Sequence, residues 1–82
     1  MKLFFVTYDL LKPRKNYDEL YTALERLGAK RVLLSVWALR GSHTAVGLRD
    51  SLKQHMDSND RLLVIESADW AASNAMTKIN DV

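Results

Sequence analysis

The chain has no cysteine, one proline, three glycines and no apolar run near the ~20 residues of a membrane-spanning helix. Without cysteine there is no disulfide framework, no thiolate zinc site and no cysteine nucleophile. The fold must rest on its hydrophobic core, which suits a reducing cytoplasm, and a cytoplasmic protein without a membrane segment is expected. The apolar stretch Leu3 to Val6 is too short for a signal-peptide core and no small-residue cleavage site follows it. Gly28, Gly41 and Gly47 are scattered, so there is no glycine-rich phosphate loop. The serines show no nucleophile-elbow pattern, and His43 and His55 have no third ligand at metal spacing. The familiar hydrolase, nucleotide-binding and zinc-site readings lose their footing together.

What is present is an ordinary globular composition: 82 residues, 48% hydrophobic and 27% charged. That is one domain of modest stability, and neither a disordered tail nor a fibrous repeat. The net charge of +2 is unevenly spread. Residues 1–40 carry eight bases against four acids, and residues 41–82 carry four against six. A basic half is compatible with a polyanionic partner such as nucleic acid, and equally with plain solvated surface.

Along the chain, Leu3, Phe4, Phe5 and Val6 are apolar without alternation, as in a central strand covered on both faces. A loop with Pro13 follows Asp9. Asn16, with Glu19 three positions on, resembles a capping box for a helix whose face carries Tyr17, Leu20, Leu24 and Leu27 and which stops at Gly28. Lys30 to Arg40 is too long for one strand and divides into two around Ser35 and Val36. Thr44 is placed to cap a second helix to about Met56, with Ala45, Leu48, Leu52 and Met56 inward. After the turn cluster Asp57 to Asp60, Arg61 to Ser67 reads as the last strand. Residues 68–82 form a tail in which Asp69 could cap a short helix bearing Ala72, Met76 and Ile79, the alternative being a mobile terminus.

The order β-α-β-β-α-β over residues 1–67 is that of an α+β, ferredoxin-like fold with an antiparallel sheet. Its two helices cover one sheet face only. Yet the first and last strands offer apolar side chains on both, Leu3 and Phe5 against Phe4 and Val6, and Leu63 and Ile65 against Leu62 and Val64. A second copy of the chain is the simplest cover for the other face, so a homodimer is expected.

Asp9 is the most suggestive residue for chemistry, at the carboxyl end of an apolar strand and before a loop with Lys12, Arg14 and Lys15. A lone carboxylate is a poor Mg²⁺ site, whereas a two-fold axis near Asp9 would supply a second one. The plain alternative is that Asp9 closes the turn after the strand. Lys12, Arg14 and Lys15 are candidates for phosphate contact, as are Arg31 and Arg40; Trp37 and Trp70 could stack on bases. For Trp37, burial in the sheet or in an interface is the competing role.

Three segments together resemble a known family. Val6-Thr7-Tyr8-Asp9-Leu10, the run from Gly28 through Arg31-Val32 to Ser35-Val36-Trp37, and Asp60-Arg61-Leu62-Leu63-Val64-Ile65 are similar to motifs of the CRISPR-associated protein 2 family, the small subunit of the spacer-acquisition complex. The resemblance spans roughly residues 2–66. It implies a ferredoxin-like homodimer with the two Asp9 carboxylates facing each other, nucleic acid (DNA or RNA) held through its backbone, an integrase subunit as partner, and in some members a magnesium-dependent nuclease. By that resemblance Asp9 is the catalytic and metal-binding position, and Ser35 and Trp37 belong to the Ser-Val-aromatic segment, structural or at the interface. The acidic start of the first helix, at Asp18 and Glu19, departs from the arginine-rich adaptation subunits. The alternatives are a toxin-like endoribonuclease, as in the virulence-associated protein D toxins of the same superfamily, and a non-catalytic protein-assembly module.

Overall fold

The computed structural model describes residues 1–12 and 17–82. Strand β1 (Lys2–Asp9) leads to helix α1 (Asp18–Arg26), then strands β2 (Lys30–Leu33) and β3 (Val36–Gly41), helix α2 (Ala45–Leu52) and strand β4 (Arg61–Glu66). The sheet order is β2-β3-β1-β4, every neighbouring pair antiparallel. This is the ferredoxin-like α+β fold. The unalternating β1 lies centrally, as its composition requires. Its register sets Phe4 opposite Leu39 and Glu66, Val6 opposite Trp37 and Val64, and Asp9 opposite Arg61.

Local signals explain the boundaries. Gly28 stops α1 with φ +81°, a left-handed conformation that a side chain would strain. Thr44 caps α2, its Oγ1 accepting from the Gly47 N–H at 3.0 Å. Helix α2 tightens into a 3-10 turn over Lys53–His55, so it stops short of Met56 as an α-helix. The long β2–β3 segment turns at Leu34 and Ser35. Asn16, expected to cap α1, lies outside the described residues.

The two sheet faces are packed differently. Phe4, Val6, Tyr8, Trp37 and Leu39 pack against Leu20 and Leu24 of α1 and Leu48 and Leu52 of α2, forming the larger core. Each fully buried side chain of this kind contributes ~1.5–3 kcal/mol. On the opposite face Leu3, Val32 and Ala38 meet Ile79 of the C-terminal segment, with Phe5, Val36, Ala75 and Val82 around them. The helix that Asp69 could have started is not formed: the only helical piece of this segment is a 3-10 turn over Ile79–Asp81. Between Ile79 and Asp69 the run Ala71, Ala72, Ser73 and Ala75 has too few large apolar side chains to anchor a helix on the sheet. The segment is irregular instead, bending at Ser73 and Asn74, with Asn74 at φ +56°, and is held by Met76 N–H to Val32 C=O at 2.8 Å and by Arg40 Nε–H to the Val82 carbonyl at 2.8 Å. The second face is therefore covered in part by the chain itself. Leu63 and Ile65, on the edge strand β4, stay 54% and 45% exposed.

Candidate nucleic-acid interface

The site lies where β1 and β4 meet at one end of the sheet. Asp9 is the last residue of β1, and antiparallel pairing places Arg61, the first of β4, directly opposite it. The Arg61 guanidinium is 3.7 Å from the Asp9 carboxylate, with both side chains well exposed, so the pair is worth ~0–1 kcal/mol and leaves both groups open to a ligand. An open cavity of about 200 Å³ is lined by Thr7, Tyr8, Asp9, Arg61, Leu62 and Leu63. Strand alternation puts Asp9, Thr7, Phe5 and Leu3 on one face of β1 and Arg61, Leu63 and Ile65 on the same face of β4. Asp9 thus shares its face with the two exposed apolar side chains.

Tyr8 points the opposite way, into the helix-covered core. Its hydroxyl accepts from Trp37 Nε1–H at 3.0 Å. The Trp37 ring lies nearly parallel to Tyr21 of α1, and the Arg31 guanidinium carbon is 4.8 Å from the centroid of each ring. Arg31 Nε is buried without a hydrogen-bond acceptor among the described residues, and the two π faces stabilise it in place of one. Burial pushes the Tyr8 hydroxyl above its ordinary value, and the Trp37 donor and Arg31 charge oppose that rise only in part.

The sequence-derived candidates accordingly divide. Asp9 and Lys12 are exposed at the same end of the sheet, separated by two residues. Arg31 sits on β2, two strands from β1, with its guanidinium against Tyr21 and Trp37 on the helix side. Trp37 is buried in the main core, and Ser35 is exposed in the β2–β3 turn. Trp70 lines a cavity of about 360 Å³ between the C-terminal segment and the sheet, with Phe5, Val32 and Val36. Arg14 and Lys15 lie outside the described residues. His43 packs edge-on to Phe4, and His55 lies 4.0 Å from Glu19, so the histidines serve separate places.

Asp60, which the sequence places in the turn cluster and at the start of the last motif without a role, gathers hydrogen bonds from distant parts of the chain. Its carboxylate accepts from Leu11 N–H, Tyr17 O–H and Asp57 N–H at 2.8–2.9 Å. Two of these partners are 49 and 43 residues away, beyond the reach of any local pattern. The available signal was the Asp60-Arg61 pair at the start of β4, which carries both the carboxylate of this network and the partner of Asp9.

The family model for CRISPR associated protein Cas2 matches residues 1–75. The chain belongs to that family. Membership in the Cas2 family supports a role like that of the CRISPR adaptation subunit. The match takes in Asp9, the β2–β3 hairpin and Arg61, and runs past β4 into the C-terminal segment.

The magnesium implied by the resemblance does not find a donor set within one chain. Among the described residues no three His, Asp or Glu side chains cluster, and the nearest charged neighbour of Asp9 is a guanidinium. Magnesium needs one or two carboxylates with water or phosphate in near-octahedral array. One Asp9 carboxylate, already paired with Arg61, falls short of that array. No helix among the described residues is long and apolar enough to cross a membrane.

Proposed function

We propose that the protein acts as a homodimer that holds nucleic acid through phosphate contacts at the β1–β4 end of the sheet. The observation that carries the reading is the shared face: Leu63 and Ile65, exposed on β4, lie on the same side of the sheet as Asp9 and Arg61. Apolar side chains exposed on an edge strand favour a protein partner, and a second copy seated there would bring its own Asp9 and Arg61 toward the first pair. Arg61 and Lys12, with Arg14 and Lys15 of the same loop in sequence, supply cations of the type that hold phosphates without reading bases. A magnesium-dependent nuclease belongs only to this dimer, where a two-fold axis would double the Asp9 carboxylate. Arrangement as the small subunit beside an integrase follows from the same family role.

Light scattering at micromolar concentration should give about twice the 9.4 kDa chain mass, and a clean monomer would remove the shared site. Labelled DNA and RNA duplexes and single strands, titrated across salt, should bind with a steep salt dependence of about −0.9 in log–log slope per phosphate contact on duplex DNA. Arg14→Ala with Lys15→Ala should flatten that slope. Cleavage is assayed on the same strands with Mg²⁺, with Mn²⁺ and with chelator. Activity lost in Asp9→Asn and in chelator supports the nuclease; cleavage of RNA alone points to the toxin-like reading, and a dimer that binds neither strand type to a protein-assembly module.

A further inference from the structure

The loop that leaves β1 is fastened to the beginning of β4 by one carboxylate. Asp60 Oδ1 accepts from Leu11 N–H at 2.8 Å and from Tyr17 O–H at 2.9 Å. The same Tyr17 oxygen accepts from Lys12 N–H at 3.3 Å. Asp60 Oδ2 takes the Asp57 N–H at 2.8 Å, which fixes the carboxylate plane against its own turn. The Tyr17 ring is buried in the main core, so its hydroxyl is a rigid post and not a swinging arm. Two consecutive loop amides, Leu11 and Lys12, are thereby tied to one rigid polar pair, one directly and one through the phenol.

We propose that Asp60, acting through Tyr17, is a positioning residue for the nucleic-acid site: it holds Lys12 beside Asp9 and Arg61 so that its ammonium meets a backbone phosphate. The inference rests on the nucleic-acid reading above and adds the group that sets the site's geometry. Asp60 is adjacent to Arg61, so one turn orients both the phosphate-facing guanidinium and the loop opposite it. Because the donors held are backbone amides, the path of Leu11 and Lys12 is set independently of their side chains. Lys12 loses less freedom on meeting a phosphate from a loop already in place. Asp60 itself need not touch the nucleic acid.

The test has two readouts on the full chain. In the free protein, amide hydrogen exchange at Lys12 should quicken by about three- to tenfold in Tyr17→Phe, the worth of one hydrogen bond, and at both Leu11 and Lys12 in Asp60→Asn. Tyr17→Phe keeps the buried ring, so it reports on the clamp even if Asp60→Asn unfolds. In duplex-DNA binding, Lys12→Ala and Tyr17→Phe should each flatten the log–log salt slope by about 0.9, and the double variant by no more than either alone. Additive losses, or a Tyr17→Phe protein that binds like wild type, would overturn the positioning role while leaving the nucleic-acid reading intact. A wild type that binds no nucleic acid would overturn both, even with the exchange pattern as expected.

Discussion

The two faces of this sheet are built from the same strands yet closed by different means. On one, Phe4, Val6, Tyr8, Trp37 and Leu39 are sealed by Leu20, Leu24, Leu48 and Leu52 of two helices. On the other, an irregular C-terminal segment covers Leu3, Val32 and Ala38 with one buried side chain, Ile79, flanked by Ala75 and Val82, and leaves Leu63 and Ile65 exposed. Helices cover a face with a periodic row of large side chains, whereas an irregular strap covers it only where an anchor happens to fall. The helix-covered face therefore supplies most of the buried core, and the strapped face leaves Asp9, Arg61 and an apolar edge exposed.

That contrast can be broken or sharpened by substitution. The largest effect is expected at Phe4, where Phe4→Ala should cost ~3–5 kcal/mol, read from the denaturant midpoint at unchanged slope. Against a total of ~4–12 kcal/mol for a chain of this length, that removes about a quarter or more of the stability, and at the lower end of the range it unfolds a large fraction of the molecules. Ile79→Ala on the strapped face should cost about 2 kcal/mol, at the low end for such a truncation, because a segment without regular structure can settle into part of the space. If Ile79→Ala matched Phe4→Ala, the faces would be energetic equals and the contrast would fail.

Tyr8→Phe should cost ~1–3 kcal/mol, because it strands the buried Trp37 Nε1–H without its acceptor while leaving the packing unchanged. Leu63→Glu with Ile65→Glu should change protomer stability by about 0.5 kcal/mol or less, as exposed sites do, while converting a dimer to a monomer in light scattering. A double variant that stays dimeric would place the interface elsewhere. The smallest effect is on pH. Tyr17 and Tyr8 both hold their protons more tightly in the fold than in the unfolded chain: burial comes first for each, followed for Tyr17 by its hydrogen bond to Asp60. Stability should be intact below the ordinary value of 10.0 and fall as pH climbs above it, since the unfolded chain then releases protons that the folded chain retains. Tyr17→Phe should shallow that fall, measured by thermal midpoint from pH 9 to pH 11.

Much of the architecture was legible in the residues themselves. The unalternating run Leu3 to Val6, the division of Lys30–Arg40, the Thr44 cap and the Gly28 stop are local signals, and the structure has each where backbone physics puts it. The order of elements then leaves few ways to pair four strands. Asp9 was legible too, since an acidic residue ending an apolar strand is conspicuous in one dimension. The course of the C-terminal segment was not legible, because a few apolar residues at helical spacing do not say whether there is a face to pack on.

What the sequence determined by itself is therefore the set of elements, their order, the apolar character of both sheet faces and the family motifs around Asp9, Trp37 and Arg61. Only the tertiary structure decided which face the helices close, that the chain's own end straps the other, and that Arg31 lies against Tyr21 and Trp37. The same is true of Asp60, whose partners at Leu11 and Tyr17 are set by how β4 returns beside β1. The reason is range: propensity, capping and periodicity act over a few residues, while a carboxylate's partners across more than forty residues exist only once the sheet has formed.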